Sequence, residues 1–235
     1  MLFRQSPSST EVGTVRVEWL GHASFRMRAP SGTVVYTDPY LLDPDPEKAD
    51  VVIVTHEHFD HCAVDKLKRI IKDDTIIVAK DNCKPLLQEF HNTIFLKTGD
   101  VCDTKGISVK AFQAYNIRRF RAPDMPFHPK GLGAGFLFVI EGVRFYIAGD
   151  TDLVPEMKEL TAESVDAALL PIGGTYTMDV DEAASAALIM RPKVAIPMHY
   201  NTFAEIRADP KRFAAAVRKS SKDIEVRILA PLVKV

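Results

Sequence analysis

Cysteine is scarce in this chain: Cys62, Cys83 and Cys102 are odd in number, lie far apart and form no Cys-x-x-Cys pair. That excludes a disulfide framework and a zinc knuckle, and reads as reduced thiols in a cytoplasmic protein. Cys62 adjoins the histidine cluster described below, but a small buried core residue is its expected role. No apolar run approaches the ~20 residues a bilayer crossing needs, and Met1 to Thr10 is polar, without the apolar core of a signal peptide. An excess of one charge is missing too. With 30 Lys+Arg against 31 Asp+Glu, no global field recruits nucleic acid or an anionic membrane. Repeats of solenoid period and low-complexity tracts are absent.

What remains is a chain of 235 residues, long enough to bury a substantial core and read as one domain, 1–235. Its most informative stretch is Val51-Val52-Ile53-Val54-Thr55-His56-Glu57-His58-Phe59-Asp60-His61. The β-branched run reads as a buried strand that delivers three histidines and an aspartate at its end. Imidazole and carboxylate suit zinc, iron or manganese. Alternate residues leaving a strand point the same way, so His56 and His58 can grip one ion, and Asp60 and His61 a second. A zincin helix is excluded, because the residue four beyond His56 is Asp60 rather than histidine.

Alternation of apolar and polar residues predicts strands at 15–19, 24–28 and 33–37 before this stretch, with His22 in the first turn and Asp38 at the third strand's end. A helix over 64–71, a strand over 75–79 and a short helix over 84–90 follow it, then strands near 93–96 and 107–112. A hairpin is expected over 136–140 and 143–148, running into Gly149-Asp150-Thr151-Asp152. Later come a short helix at 155–160, a strand at 167–170, a helix capped by Thr177 and running to Met190, and a strand over 193–198 that ends at His199. A helix opened by Asp209-Pro210 and a strand over 224–229 close the chain. Two strand clusters, each completed by helices, point to an α/β domain of two sheets with helices outside. The least regular segment, 113–135, carries Arg118, Arg119, Arg121, His128 and Lys130. Its length marks it as functional or mobile, and its guanidinium forks suit an anionic substrate.

Taken together, Leu20-Gly21-His22-Ala23-Ser24-Phe25, Thr37-Asp38-Pro39-Tyr40, the His-x-His-x-Asp-His of 56–61, Ala148-Gly149-Asp150-Thr151 and Ile196-Pro197-Met198-His199-Tyr200 resemble the metallo-β-lactamase-fold superfamily of metal-dependent hydrolases. The likeness is to its small stand-alone branch, similar to ascorbate-phosphate lactonase-like and N-acylethanolamine phospholipase-like proteins. It implies a four-layer αββα sandwich of two mixed sheets with external helices. It also implies that His56 and His58 bind one metal, that Asp60, His61 and His199 bind the other, and that Asp150 bridges them, with Asp38 supporting the ligands. One departure stands out. Where the family places a further histidine for the first metal, this chain has Asn116, and an amide oxygen is a poor substitute for imidazole at zinc. Either His128 reaches in, or His22 does, or the first ion is weakly held; His22, in a tight turn near the inferred rim, is preferred.

Two divalent ions, zinc first with manganese, iron or nickel as alternatives, would share a water, lower its pKa and present hydroxide to an electrophilic carbonyl or phosphorus. The expectation is hydrolysis of a small anionic ester, lactone or phosphodiester. Asp60 would orient the water or take its proton, and His22, His128 or Tyr200 would stabilise charge or protonate the leaving group. Asn116 and Tyr200 join the basic loop as substrate contacts. Alternatives are a nuclease, a flavodiiron-type redox protein (disfavoured for want of a flavin domain), and a non-catalytic metal-binding protein with an incomplete first site. Homo-oligomerisation stays open.

Overall fold

The computed structural model describes residues 8–233. Met1 to Pro7, most of the polar N-terminal stretch read above, lie outside the described residues. Sixteen strands appear in chain order: β1 (Ser9–Val12), β2 (Val15–Gly21), β3 (Ser24–Arg28), β4 (Val34–Thr37), β5 (Val51–Val54), β6 (Ile76–Lys80), β7 (Thr93–Leu96), β8 (Val101–Thr104), β9 (Ile107–Ala114), β10 (Phe120–Ala122), β11 (Met125–Pro126), β12 (Gly133–Ile140), β13 (Val143–Ile147), β14 (Ala167–Pro171), β15 (Val194–Met198) and β16 (Glu225–Val226). The α-helices are α1 (Val64–Ile70), α2 (Val180–Met190) and α3 (Pro210–Ser220), and Pro155–Glu163 forms a 3₁₀ segment.

Two mixed seven-stranded sheets result, in the orders β1-β2-β3-β4-β5-β6-β7 and β16-β15-β14-β13-β12-β9-β8, with β10-β11 a separate hairpin. Each sheet begins antiparallel and becomes parallel, the first at β4–β5 across the loop 38–50 and the second at β13–β14 across the 3₁₀ segment Pro155–Glu163. This is the expected architecture of two mixed sheets with helices. Period-two patterning explains it. On the first sheet Val35, Val51, Ile53 and Val78 face the main core shared with the second sheet, while Tyr36, Val52, Val54 and Ile77 pack with Leu67 and Ile70 of α1. In the second sheet Gly135 permits a close approach, since a Cβ there would sit 2.5 Å from the Tyr146 hydroxyl of the neighbouring strand.

Several boundaries differ from the sequence reading. The segment 84–90 forms no helix; after a 3₁₀ turn at Asp81–Cys83 it makes isolated turns onto the carbonyls of Cys83 and Leu87, with Leu86 exposed. Pro85 supplies no N–H to extend a ladder, and seven residues are too few to propagate a helix alone. α2 is capped by Asp179 rather than Thr177. Asp179 accepts from the backbone of Asp181 and Glu182, and Glu182 returns the bond to the Asp179 N–H, a reciprocal box that outcompetes a buried threonine two residues earlier. β1 and β8 escaped prediction because each is short and only partly buried. The segment 113–135 is more ordered than expected: β9 extends to Ala114, the β10-β11 hairpin occupies its middle, and β12 begins at Gly133. No helix among the described residues is long and apolar enough to cross a membrane.

Candidate metal centre

Six of the seven histidines gather at one rim, where β2, β4, β5, β13 and β15 end. β5 leads directly to His56. The chain then turns tightly, with the N–H groups of His61 and Cys62 both donating to the His58 carbonyl at 3.0 and 2.8 Å, so His58 and His61 leave the turn at different points of the same cluster. β13 delivers Asp150 through Gly149, which lies at φ +63° and where a Cβ would sit 2.9 Å from the Ala134 carbonyl. β15 delivers His199. Both His199 (φ 55°) and His22 (φ 54°) adopt the left-handed conformation that non-glycine residues rarely occupy, and the His22 carbonyl accepts from the His199 N–H at 2.9 Å and from Trp19 Nε1 at 3.0 Å. Such conformations persist where the surroundings over-determine them.

Hydrogen bonds fix which nitrogen each ring presents. The Asp38 carboxylate accepts from the Thr55 N–H and hydroxyl, both at 2.8 Å, and from His61 Nδ1 at 2.7 Å. His61 therefore carries its proton on Nδ1 and turns Nε2 to Asp150 Oδ1, 3.3 Å away. The Thr55 hydroxyl, having given its only proton to Asp38, accepts from His56 Nδ1 at 3.0 Å, which frees His56 Nε2 to stand 3.1 Å from His58 Nδ1. Asp38 thus sits behind the His61 ring, and Thr55, to which the sequence reading gave no role, joins it in fixing the rings of His56 and His61.

His128 makes the corresponding arrangement from the other side. Asn116 Oδ1 accepts from the His128 N–H at 2.8 Å and from His128 Nδ1 at 2.7 Å, while the Asn116 N–H donates to the His128 carbonyl at 2.8 Å. An amide oxygen can only accept, so the neutral ring is protonated on Nδ1 and its Nε2 lies free, 3.3 Å from Asp150 Oδ2. Asn116 Nδ2 in turn donates to Asp152 Oδ1 and the Tyr176 carbonyl, each at 3.0 Å. The ring centroids of His56 and His58 lie 5.1 and 4.9 Å from that of His128.

The preference for His22 as third partner of His56 and His58 is therefore corrected. His22 lies on the opposite flank, its ring 4.0 Å from that of His199 and its Nε2 donating to Asp60 Oδ2 at 3.0 Å. Three overlapping donor sets emerge, His56/His58/His128, His56/His61/Asp150 and His22/Asp60/His61/His199, in each of which the donor atoms lie within 4.8 Å of one another. Donor chemistry fits metal ions. His61 Nε2, both ring nitrogens of His199 and Asp150 Oδ1 are buried without a hydrogen-bond partner, a costly state unless a cation occupies the space between them.

Electrostatics follow the same plan. Burial opposes ionisation of Asp150, but His199 and His61 outweigh it and hold the carboxyl well below its usual range. Burial likewise opposes charge on His61, yet with no ion bound Asp150, Asp38 and Asp60 raise its pKa well above the ordinary imidazole value, so the acidic surroundings draw a second proton to Nε2, the position a cation would take. His56 is pushed well below it by burial and then by His61. His22 falls to about 4, through burial and then its neighbour His199, so it is neutral near pH 7.

A cleft of about 450 Å³ opens over these donors, walled by Phe59, Phe127, Tyr176 and Phe203, with Glu205 at its edge. Among the described residues no lysine or arginine lines it. The expectation that the basic loop grips an anion is corrected accordingly. Arg119 is half-buried and pairs with Asp152, its Nη1 at 2.9 Å, and with Glu182; Arg118 reaches Glu182 at 3.0 Å, Lys130 reaches Glu156 at 2.7 Å, and Arg121 bonds the Phe127 carbonyl at 3.0 Å. Asp152 also accepts from the N–H groups of Ile117 and Arg118, both at 2.7 Å, so these charges brace the segment. Tyr200 stacks on Trp19, with centroids 5.0 Å apart, and lies outside the cleft lining. Burial raises its phenol above the usual range and suits it to packing rather than proton transfer. Cys62 is buried with Cys83, Leu67 and Ile70 under α1, a core residue.

Two seven-stranded mixed sheets with a His/Asp cluster at one rim define a metallo-β-lactamase-fold protein. A beta-lactamase superfamily domain matches residues 16–199, and the chain belongs to that superfamily. More narrowly, it is a metal-dependent hydrolase. It is similar to a UPF0173 metal-dependent hydrolase of Archaeoglobus fulgidus, 34% identical over 226 residues that cover 92% of this chain and 96% of the relative. Another UPF0173 metal-dependent hydrolase, from Thermoplasma acidophilum, is 38% identical over 212 residues, 86% of this chain and 90% of the relative. Among solved structures, a metallo hydrolase from the archaeon Ignicoccus hospitalis superposes with a TM-score of 0.76 at 29% identity, covering 94% of this chain and 97% of that one.

Proposed function

We propose that this chain is a dinuclear hydrolase in which His56, His58 and His128 hold one divalent ion and Asp60, His61 and His199 hold the other, with Asp150 between them. The observation that carries the reading is the convergence on Asp150: its Oδ1 stands 3.3 Å from His61 Nε2, and its Oδ2 stands 3.3 Å from His128 Nε2 and 3.2 Å from His199 Nε2, so donors of both sets meet at this one carboxylate. Zinc suits these donors, and manganese, iron or nickel would be accepted by the same set. When bound, the pair supplies Lewis acidity and an activated water for attack on a small ester, lactone or phosphodiester.

The protein's own contributions are orientation and charge. Asp60 faces the ion-binding space and is ionised, since His61 and the His22 hydrogen bond outweigh its burial. It is the group placed to orient a nucleophilic water or accept its proton. His22 holds Asp60 through Nε2 and acts as its positioning residue. His128, a catalytic candidate on sequence grounds, serves as a ligand instead. With a third imidazole beside His56 and His58, the first site has a full donor set, which argues against a non-catalytic protein with an incomplete site. The uncharged aromatic walls give a nuclease reading no electrostatic support.

The test is metal analysis of protein purified without chelators, carried into ester, lactone and phosphodiester assays on the same sample. Turnover that tracks metal content supports the reading. The doubly substituted His56→Ala, Asp60→Ala protein should lose both, and full activity in that variant refutes the assignment.

A further inference from the structure

The cleft above the donors differs in character from its floor. Its floor is polar and, with ions bound, cationic, whereas its walls are aromatic. Phe127 and Tyr176 meet edge to face with centroids 4.9 Å apart, and Phe59, Tyr40 and Phe203 form a second aromatic group, with Tyr40 lying 5.9 Å from Phe59 and 6.2 Å from Phe203. Phe59 is 69% exposed although it stands between His58 and Asp60, so a large apolar side chain is kept in water next to the reacting centre. A ring in that position gains by being covered, and a substrate's apolar substituent would cover it. Charge selection points the same way. The one charged side chain at the edge of the cleft that is neither a candidate ligand nor among the histidines is Glu205, which makes no ion pair among the described residues. Arg119 and Lys130 are engaged with Asp152, Glu182 and Glu156, and Arg207 and Arg212, which share a neighbouring pocket with Glu205, do not line this cleft.

Resting on the dinuclear reading above, we propose that the substrate is a neutral carboxylic ester or lactone bearing an aryl or branched apolar group, with the scissile carbonyl at the floor and that group against Phe59, Phe127, Tyr176 and Phe203. Glu205 repels substrates that carry a carboxylate or phosphate on the same group. Specificity then comes from an apolar wall and a like-charge penalty, and the basic segment takes no part.

Hydroxamates, which chelate such ions, test this by calorimetry on metal-replete protein. Acetohydroxamate reports the ions alone. Benzohydroxamate should bind at least about tenfold more tightly, a gain of about 1.4 kcal/mol, and 4-carboxybenzohydroxamate should lose most of that gain. Phe59→Ala, at a position too exposed to endanger folding, should abolish the benzohydroxamate advantage without weakening acetohydroxamate. Glu205→Gln should restore binding of the carboxylated probe. Equal binding of acetohydroxamate and benzohydroxamate, or tighter binding of the carboxylated probe, overturns the substrate class and leaves the dinuclear reading standing. Failure of acetohydroxamate itself to bind, or absence of metal from the protein, removes the dinuclear reading and this one with it.

Discussion

His61 and His128 approach different oxygens of Asp150, each with Nε2 at 3.3 Å and each donating Nδ1–H to an acceptor at 2.7 Å, and His199 Nε2 shares the His128 oxygen at 3.2 Å. What lies behind them differs. His61 leans on the Asp38 carboxylate, which is fixed by the backbone and hydroxyl of Thr55 at the end of a central strand. His128 leans on the neutral amide of Asn116, in a segment secured by Asp152 and its backbone and arginine donors. An anionic acceptor makes the imidazole more basic and a better donor to a cation than a neutral one does, and a strand end holds it more firmly than a loop. On the dinuclear proposal, the ion held by His61 should therefore be the tighter one, and the ion held by His128 the one that exchanges.

The largest perturbation removes what the two sides share. Asp150→Ala should empty both sites and abolish turnover, as read by metal analysis after gel filtration. Retention of one full equivalent would mean that the sides are independent and that the comparison is wrongly drawn. Next in size, Asp38→Ala removes the acceptor for His61 and strands the Thr55 N–H. Chelator competition should show the tighter ion weakened by about 100-fold, the upper end for such supporting residues, with a stability loss of about 1–3 kcal/mol from the buried donor left unpaired. Asn116→Ala should weaken only the looser ion, by about 10–100-fold, and leave the tighter one within a few-fold. In metal-free wild-type protein, the ¹⁵N shifts of the His128 ring should report Nδ1 protonated. The opposite tautomer would contradict the role given to Asn116, whatever the variant does.

That contrast also separates what could be read in the sequence from what could not. The strand-end half was legible because its residues are local: a β-branched run announces β5, and four donors follow within six residues. Asp150 and His199 were legible as ends of strongly apolar strands. His128 was ambiguous because a segment with several prolines carries no periodicity, so nothing in the chain says where its residues return. On the sequence alone Asn116 reads as a poor substitute for a histidine ligand. Only the hydrogen bonds reveal it as the support of His128, a candidate donor that arrives twelve residues later. Asp152 and Thr55 stood inside stretches singled out on the sequence, but a buried acceptor of backbone N–H groups has no signature of its own. The aromatic walls were illegible for the same reason: Phe59, Phe127, Tyr176 and Phe203 are far apart in sequence, and no pattern distinguishes an aromatic residue over a cleft from one in a core.

The smallest expected effect concerns the feature that looked most functional in the sequence. Arg118 is 70% exposed at its side chain and Lys130 54%, and each pairs with a glutamate rather than facing the cleft. Exposed pairs of this kind contribute about 0–1 kcal/mol, screened by salt. Arg118→Ala and Lys130→Ala should therefore leave KM for any ester or lactone within about twofold of wild type and thermal stability within about 1 kcal/mol, with no greater effect on anionic than on neutral substrates. Arg119 is the contrasting case in the same segment. Its half-buried guanidinium bonds Asp152, which also holds the Asn116 amide, so Arg119→Ala should loosen the His128 side of the centre through that shared carboxylate. If Arg118→Ala instead raised KM selectively for carboxylated or phosphorylated substrates, the exposed charges would be recruiting ligand from outside the cleft. The division between a braced basic segment and an apolar binding wall would then fail.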